Sequence, residues 1–242
     1  MKVIVCKNYD DAMAEAAAIV AGVVREKPDC ILGLATGSTP LGMYDRLVAE
    51  YEAGKLDFSR VSSFNLDEYY PISPDNDQSY RYFMNTNLFN RINIDKANTR
   101  VPNGSAADPD QECKDYEAAI DASAGVDIQV LGIGQNGHIA FNEPEENLYA
   151  YTHLTGLTEN TIKANSRFFE NESDVPRQAL TMGMASIMKA RKIILLATGA
   201  AKCDAVKVLL NDRITTNVPA SLLKLHPDVT VICDEAAYAC GN

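Results

Sequence analysis

Short runs of apolar residues recur along the chain, separated by longer stretches in which apolar positions lie three or four residues apart. The short runs are rich in Val, Ile and Leu, as is typical of strands buried on both faces, whereas the longer spacing is typical of helices. The pattern predicts strands at 3–6, 30–35, 61–66, 126–132, 192–197 and 229–233. It predicts helices at 10–26, from Pro40 to Gly54, from Pro109 to about Ala124, and at 200–210.

This alternation of strands and helices predicts an α/β fold with a mainly parallel, doubly wound sheet and helices on both of its faces. The 242 residues, 46% of them hydrophobic, are enough to bury one large core. Neither a linker nor an internal repeat divides the chain, so we expect a single domain over residues 1–242. Active side chains should lie in loops at the carboxyl ends of the strands, where open α/β sheets bind ligands.

The formal net charge of −11 disfavours binding to nucleic acid or to an anionic membrane, because both require a positive surface. The start of the chain, residues 1–6, is apolar but turns polar within a few residues, which is typical of a first strand and not of a signal peptide. No apolar run approaches the length of a membrane span. These features predict a cytoplasmic protein.

The cysteines form no C-x-x-C pair and stand mostly at core-like positions of predicted strands and helices. They are Cys6, Cys30, Cys113, Cys203, Cys233 and Cys240. We expect reduced structural thiols and no metal site.

Residues 131–144 run from an apolar strand through three glycines to His138 and then to Glu143. Glycines let the backbone turn sharply, so His138 is expected at the carboxyl end of a strand, as a catalytic group would be. Taken alone, the motif is equally typical of a glycine-rich turn whose histidine only caps or packs.

Residues 32–41 form a second strand-to-loop segment, in which Thr36, Gly37, Ser38 and Thr39 precede a predicted helix. This segment suits a phosphate group, because its hydroxyl groups can donate hydrogen bonds and its glycine lets the backbone approach the anion closely. The helix that follows points its positive end toward the same place. The segment lacks the glycines and lysine of a nucleotide-binding loop, which disfavours a nucleotide cofactor. A helix start capped by Ser or Thr is the simpler alternative.

Two further segments carry candidate charges. Asp67 and Glu68 follow the third predicted strand, so one of them could act as a base, although paired acids are often helix caps or surface groups. Organised metal ligands are missing from their neighbourhood. Arg167 and Lys202 are cations that could hold a phosphate, although each alone is more typical of a surface residue.

These motifs together resemble the glucosamine-6-phosphate deaminases of amino-sugar catabolism. The resemblance is carried in order by L-G-L-A-T-G-S-T-P, F-N-L-D-E-Y, G-x-G-x-N-G-H-I-A-F-N-E-P, A-N-S-R-F-F and L-H-P-D-V-T-V-I-C-D-E. It implies a modified Rossmann-like fold and the conversion of glucosamine 6-phosphate and water to fructose 6-phosphate and ammonia. It also implies that neither a redox cofactor nor a metal takes part.

The resemblance assigns a role to individual positions of this chain. Asp67 would abstract a proton, His138 would open the sugar ring, and Glu143 would support His138. The substrate phosphate would lie against three residues of one loop and two cations, namely Gly37, Ser38, Thr39, Arg167 and Lys202.

Two departures from the family pattern bear on regulation. Some members have an aspartate where this chain has Asn136, whose amide can orient the imidazole but supplies no charge to it. Members activated by N-acetylglucosamine 6-phosphate have basic residues where this chain has His153 and Thr155, and they end in a longer tail. We therefore expect a non-allosteric monomer or small homo-oligomer.

Two other functions remain open from the sequence. A 6-phosphogluconolactonase would share the fold and the phosphate loop, but the F-N-L-D-E-Y and N-G-H-I-A-F-N-E-P motifs point away from it. A sugar-phosphate sensor that regulates transcription would need a DNA-binding module, and residues 1–30 predict only one strand and one helix on an acidic chain.

Overall fold

A computed structural model describes residues 1–166, 169, 171 and 174–241. Its strands are β1 (Lys2–Cys6), β2 (Ile31–Leu34), β3 (Ser62–Asn65), β4 (Asp67–Tyr70), β5 (Thr99–Arg100), β6 (Ile128–Gly132), β7 (His153–Gly156), β8 (Gln178–Thr181), β9 (Ile193–Ala197) and β10 (Val229–Asp234). Its α-helices are α1 (Tyr9–Glu26), α2 (Leu41–Glu52), α3 (Tyr80–Asn87), α4 (Pro109–Ala122), α5 (Glu159–Asn165), α6 (Met184–Met188), α7 (Cys203–Leu210) and α8 (Glu235–Tyr238).

Seven strands form one parallel sheet in the order β1-β10-β9-β6-β2-β3-β5. All six predicted strands belong to it, and their bounds differ from the predicted ones by one or two residues. Every residue of β2, β9 and β10 is buried, as strands covered on both faces must be. The predicted parallel α/β sheet between helices is therefore confirmed.

The strand order reverses between β2 and β6. From β2 the chain moves outward through β3 to β5, then returns to the other side of β2 at β6 and moves outward again through β9 and β10. Loops that leave neighbouring strands in opposite directions open a crevice at this point, which is where doubly wound sheets bind ligands. The loops after β2 and β6 carry the two glycine-containing motifs of the sequence.

A second sheet, which the sequence pattern did not predict, joins β4, β8 and β7 in antiparallel pairs. Leu66 connects the two sheets: its N–H donates to the Leu34 carbonyl (3.2 Å), and its own carbonyl accepts from the Met182 N–H (2.8 Å). Leu66 is therefore the single residue between the end of β3 and the start of β4. The charged sequence of β4 hides it from a search for apolar runs.

The predicted helices are confirmed with small changes at their ends. Pro40 immediately precedes α2 and does not lie in its first turn, while α4 begins at Pro109 behind the N-cap Asp108. The helix predicted at 200–210 begins as a 3₁₀ turn over Ala200–Lys202 and continues as α7. No helix among the described residues is both long and apolar enough to cross a bilayer.

One of the cysteine predictions is wrong. Cys203 and Cys240 form a disulfide, with their Cα atoms 5.3 Å apart, whereas Cys6, Cys30, Cys113 and Cys233 are free thiols. The two bonded residues are 37 positions apart, so no local spacing motif marks them as a pair. Packing of the last turn, Ala239–Gly241, against α7 brings them together.

Candidate active site

The turn after β6 depends on backbone conformations that its glycines allow. Gly137 has a φ of 83°, and a side chain at this position would also overlap Val218. Ala140 adopts a φ of 52°, which is uncommon for a residue other than glycine and costs about 1–3 kcal/mol. The turn therefore holds His138 and Glu143 in a shape that a relaxed loop would not adopt.

The imidazole of His138 lies directly over Gly134. A methyl group at Gly134 would overlap three atoms of the ring, Nδ1, Cε1 and Nε2. The Gly134 N–H also donates to the His138 carbonyl (2.9 Å). Gly134 thus makes room for the ring as well as shaping the turn, a role that its place in the motif did not reveal.

The buried carboxylate of Glu143 lies beside the imidazole of His138. Its Oε2 lies 3.2 Å from His138 Nδ1, although Nδ1 makes no well-aligned hydrogen bond to any described residue. Burial alone would raise the pKa of Glu143, but the contact with His138 and the hydrogen bonds from Thr161 and Asn136 lower it to about 2. Glu143 is therefore an anion at neutral pH, as the support of an imidazole requires.

Asn136 contacts Glu143 and not the imidazole. Its Nδ2 donates to Glu143 Oε2 (2.6 Å), while its Oδ1 accepts from the backbone N–H of His138 (3.2 Å). Any effect of Asn136 on the orientation of the ring thus passes through Glu143 or through the main chain. The carboxylate of Glu143 also accepts from Thr161, which the sequence analysis did not identify.

Asp67 and Glu68 begin β4, and adjacent residues of a strand point to opposite faces. Glu68 faces α3, where it accepts from the N–H groups of Tyr80 (2.8 Å) and Arg81 (2.9 Å). Asp67 faces the other way and is only 6% exposed. Burial raises the pKa of Asp67 to about 8, with a further rise from the charge of Glu68. Of the two carboxyl groups, Glu68 is thus a helix anchor and Asp67 is the candidate base.

The strand that carries Asp67 is bonded to the turn that carries His138. Asp67 pairs with Thr181 of β8, and the Thr181 hydroxyl accepts from the N–H of Phe141 (3.1 Å). The amide of Asn142 donates to the Met182 carbonyl (2.8 Å). The candidate base and the histidine–carboxylate pair are therefore held in one framework.

The loop after β2 contains Gly37, Ser38 and Thr39. Gly37 has a φ of 87°, and the Ser38 side chain is exposed. The hydroxyl of Tyr9 on α1 donates to the Thr39 carbonyl (3.0 Å) and accepts from the N–H of Gly42 (2.9 Å). One N–H in the first turn of α2 is thus already bonded, so an anion would depend on the loop's hydroxyl groups and the remaining donors.

Lys202 is half-buried and follows β9. Because β9 neighbours β6, and β6 neighbours β2, the loop with Lys202 lies at the same edge of the sheet as the two motif loops. The turn before it includes Gly199, with a φ of 85° and an N–H that donates to Asp234 Oδ2 (2.9 Å). The other predicted phosphate ligand, Arg167, lies outside the described residues.

A doubly wound sheet with a histidine–carboxylate pair and a buried carboxyl group at the carboxyl ends of its strands is typical of α/β enzymes that use acid–base catalysis. Comparison with known proteins gives the family. The chain belongs to the glucosamine-6-phosphate isomerase/6-phosphogluconolactonase family, whose model matches residues 7–232.

The relatives named as deaminases are much more similar to this chain than a relative named as a lactonase. A glucosamine-6-phosphate deaminase of Thermoanaerobacter pseudethanolicus is 55% identical over 237 residues, 98% of this chain and 94% of that protein. A solved monomeric glucosamine-6-phosphate deaminase is 43% identical, covers 99% of this chain and 100% of its own, and has a TM-score of 0.97. The 6-phosphogluconolactonase of Trypanosoma brucei shares the fold at a TM-score of 0.79, with 20% identity and coverage of 98% and 97%.

Proposed function

We propose that this protein is an enzyme that converts glucosamine 6-phosphate and water to fructose 6-phosphate and ammonia. The observation that carries the proposal is the bonded framework of β4 and the 138–143 turn, which unites a buried carboxyl group with a histidine–carboxylate pair. The high identity to a glucosamine-6-phosphate deaminase supports it. The low identity to a lactonase makes that alternative weaker.

The first step is opening of the sugar ring. His138 moves a proton from the anomeric hydroxyl to the ring oxygen, so that the C1–O5 bond breaks and the aldehyde forms. The anionic Glu143 beside Nδ1 stabilises the imidazolium that exists during this transfer. Asn136 holds the carboxylate of Glu143 toward the ring.

The second step is isomerisation, followed by loss of the amine. Asp67 takes the proton from C2 and leaves an enolamine with a C1–C2 double bond. Return of a proton to C1 gives an imine at C2. Water adds to this imine, ammonia leaves, and the C2 carbonyl of fructose 6-phosphate remains. A buried carboxyl group with a raised pKa is basic enough to accept a proton from carbon.

The phosphate holds the reacting carbons in place. In this proposal Gly37, Ser38, Thr39, Lys202 and Arg167 bind it, and this remote binding energy positions C1 and C2 against the acid and base groups. We further propose that the enzyme is cytoplasmic and needs no cofactor or metal. The chemistry uses only side-chain proton transfer, and no cluster of metal-binding side chains occurs within the described residues.

The test is a coupled assay of the purified protein. With glucosamine 6-phosphate alone, we expect ammonia and fructose 6-phosphate in equal amounts, with no change after a chelator is added. Glucosamine without the phosphate serves as the matched control and should react very poorly. Lack of ammonia release, or equal turnover of both sugars, would contradict the proposal.

We also propose that the enzyme is a monomer or small homo-oligomer without allosteric activation. His153 stacks on Tyr149 with ring centroids 4.1 Å apart, and burial lowers its pKa, so it is neutral at pH 7. Thr155 carries no charge. An activating phosphate would need a second cationic site that binds one global state more tightly than the other, and these residues do not supply its charge.

Initial rates should therefore follow a hyperbola in substrate concentration. N-acetylglucosamine 6-phosphate should not stimulate the reaction at subsaturating substrate. A sigmoidal curve that becomes hyperbolic when this compound is added would refute the regulatory proposal and leave the catalytic one intact.

A further inference from the structure

The carboxylate of Glu143 is held from two sides. Its Oε2 faces His138 and Asn136, whereas its Oε1 accepts from the hydroxyl of Thr161 at 2.5 Å. The hydroxyl of Thr158 lies farther from the same oxygen, at 3.4 Å. Hydrogen bonds to a charged group are stronger than those between neutral groups, so Thr161 makes the principal contact on this side.

This contact determines how the carboxylate can rotate. The last torsion of a glutamate side chain has broad energy wells, so burial alone does not fix the plane of its carboxylate. A short hydrogen bond to Oε1 fixes the plane and thereby keeps Oε2 at 3.2 Å from His138 Nδ1. Glu143 is 6% exposed and Thr161 is 7% exposed, so water has little access to replace this bond.

Within its own helix the hydroxyl of Thr161 accepts from the hydroxyl of Thr158 (3.1 Å), a longer contact than its own bond to Glu143 (2.5 Å). The N-terminus of α5 is capped by Thr158, whose side chain accepts from the N–H of Thr161 (3.3 Å). The next residue of α5, Ile162, is buried. A valine at position 161 would keep the shape, the N–H and the apolar packing of threonine and would lose only the hydroxyl.

We infer that Thr161 is a positioning residue, which holds Glu143 so that His138 keeps its proton on Nδ1 and presents Nε2 to the reacting sugar. The neighbour of one ring nitrogen decides which tautomer an imidazole adopts. The effect of Thr161 on turnover rests on the proposed function, whereas its effect on the tautomer of His138 does not.

The kinetic test is a double-mutant cycle. Thr161→Val should lower kcat by about tenfold with KM within about twofold, since a lost hydrogen bond to a charged group is worth about one factor of ten or more. In a Glu143→Ala background the same substitution should change kcat by less than about twofold, because its partner is absent. Thr161→Ser should restore most of kcat. An equal loss in both backgrounds would overturn the inference.

Thr158→Val is the matched control on the same helix. It removes the helix cap, the long contact with Glu143 and the hydrogen bond from Thr158 to the Thr161 hydroxyl, but leaves the bond between Thr161 and Glu143. If Thr158→Val lowers kcat as much as Thr161→Val, the effect belongs to the stability of α5, and the inference is wrong.

A spectroscopic readout separates this inference from the proposed function. The ¹⁵N shifts of the His138 ring report which nitrogen carries the proton, and we expect the Nδ1–H form to lose population in Thr161→Val but not in Thr158→Val. An unchanged ring spectrum in Thr161→Val would overturn the inference. If the spectrum changes as expected while the parent protein releases no ammonia, the proposed function fails and the positioning role stands.

Discussion

An Asp67→Asn variant is expected to release ammonia from glucosamine 6-phosphate about 10³-fold more slowly than the parent enzyme. A single general acid–base group contributes about 10²–10⁴-fold, and an amide cannot accept the C2 proton. Exchange of that proton with deuterium from solvent should stop as well, which mass spectrometry of recovered substrate can measure. Asp115→Asn, at an exposed position of α4, is the control and should retain full activity.

The pH dependence of kcat/KM is a second test of the role of Asp67. Burial raises the pKa of Asp67 to about 8, and only its ionised form is a base, so kcat/KM should increase with pH up to about 8. A profile that stays flat from pH 6 to pH 9 in the parent enzyme would argue against Asp67 as the proton acceptor.

The same raised pKa predicts how stability changes with pH. In the unfolded chain an aspartate titrates near pH 3.9, so between about pH 4 and pH 8 the folded protein holds a proton on Asp67 that the unfolded chain has lost. Asp67 therefore makes the free energy of unfolding fall as pH rises through this window. Asp67→Asn should be more stable than the parent at pH 8, and the difference should shrink toward pH 4 in urea titrations.

The second large effect is expected for His138→Gln. Glutamine can still form hydrogen bonds but cannot carry a proton between the two oxygens, so ring opening should slow by about 10²-fold or more. A substrate analogue held in the open-chain form bypasses that step and should partly restore the reaction. Turnover of natural and open-chain substrate is compared in one ammonia assay.

Asp67→Asn provides the contrast for this experiment. The open-chain analogue still needs a base at C2, so it should not restore the Asp67 variant. Rescue of Asp67→Asn together with failure to rescue His138→Gln would show that the two roles are assigned the wrong way round.

The parallel sheet could be predicted because its strands are apolar on both faces and stand out in the sequence. The motif loops could be placed at the correct edge because β–α units put strand ends there. The second sheet was not predicted because Asp67–Tyr70 begins with two acidic residues and contains no run of aliphatic residues. Its pairing depends on residues more than 100 positions away.

Some details of the site could not be predicted from the sequence, because they depend on contacts made in the folded chain. Gly134 and Thr161 act through contacts with His138 and Glu143 that have no fixed sequence spacing. The disulfide between Cys203 and Cys240 likewise reflects how the end of the chain packs against α7. Residue types indicated the chemistry, while the partners of each residue depended on the folded structure.

The one-residue connection at Leu66 limits which changes of chain length this fold can accept. Side chains alternate between the faces of a strand, so one inserted residue would move β4 by one position and exchange the directions of Asp67 and Glu68. The carboxyl group that anchors α3 would then face the site, and the base would face α3. Insertions and deletions in this protein should therefore be confined to other connections, even though many single substitutions near Leu66 would leave the register intact.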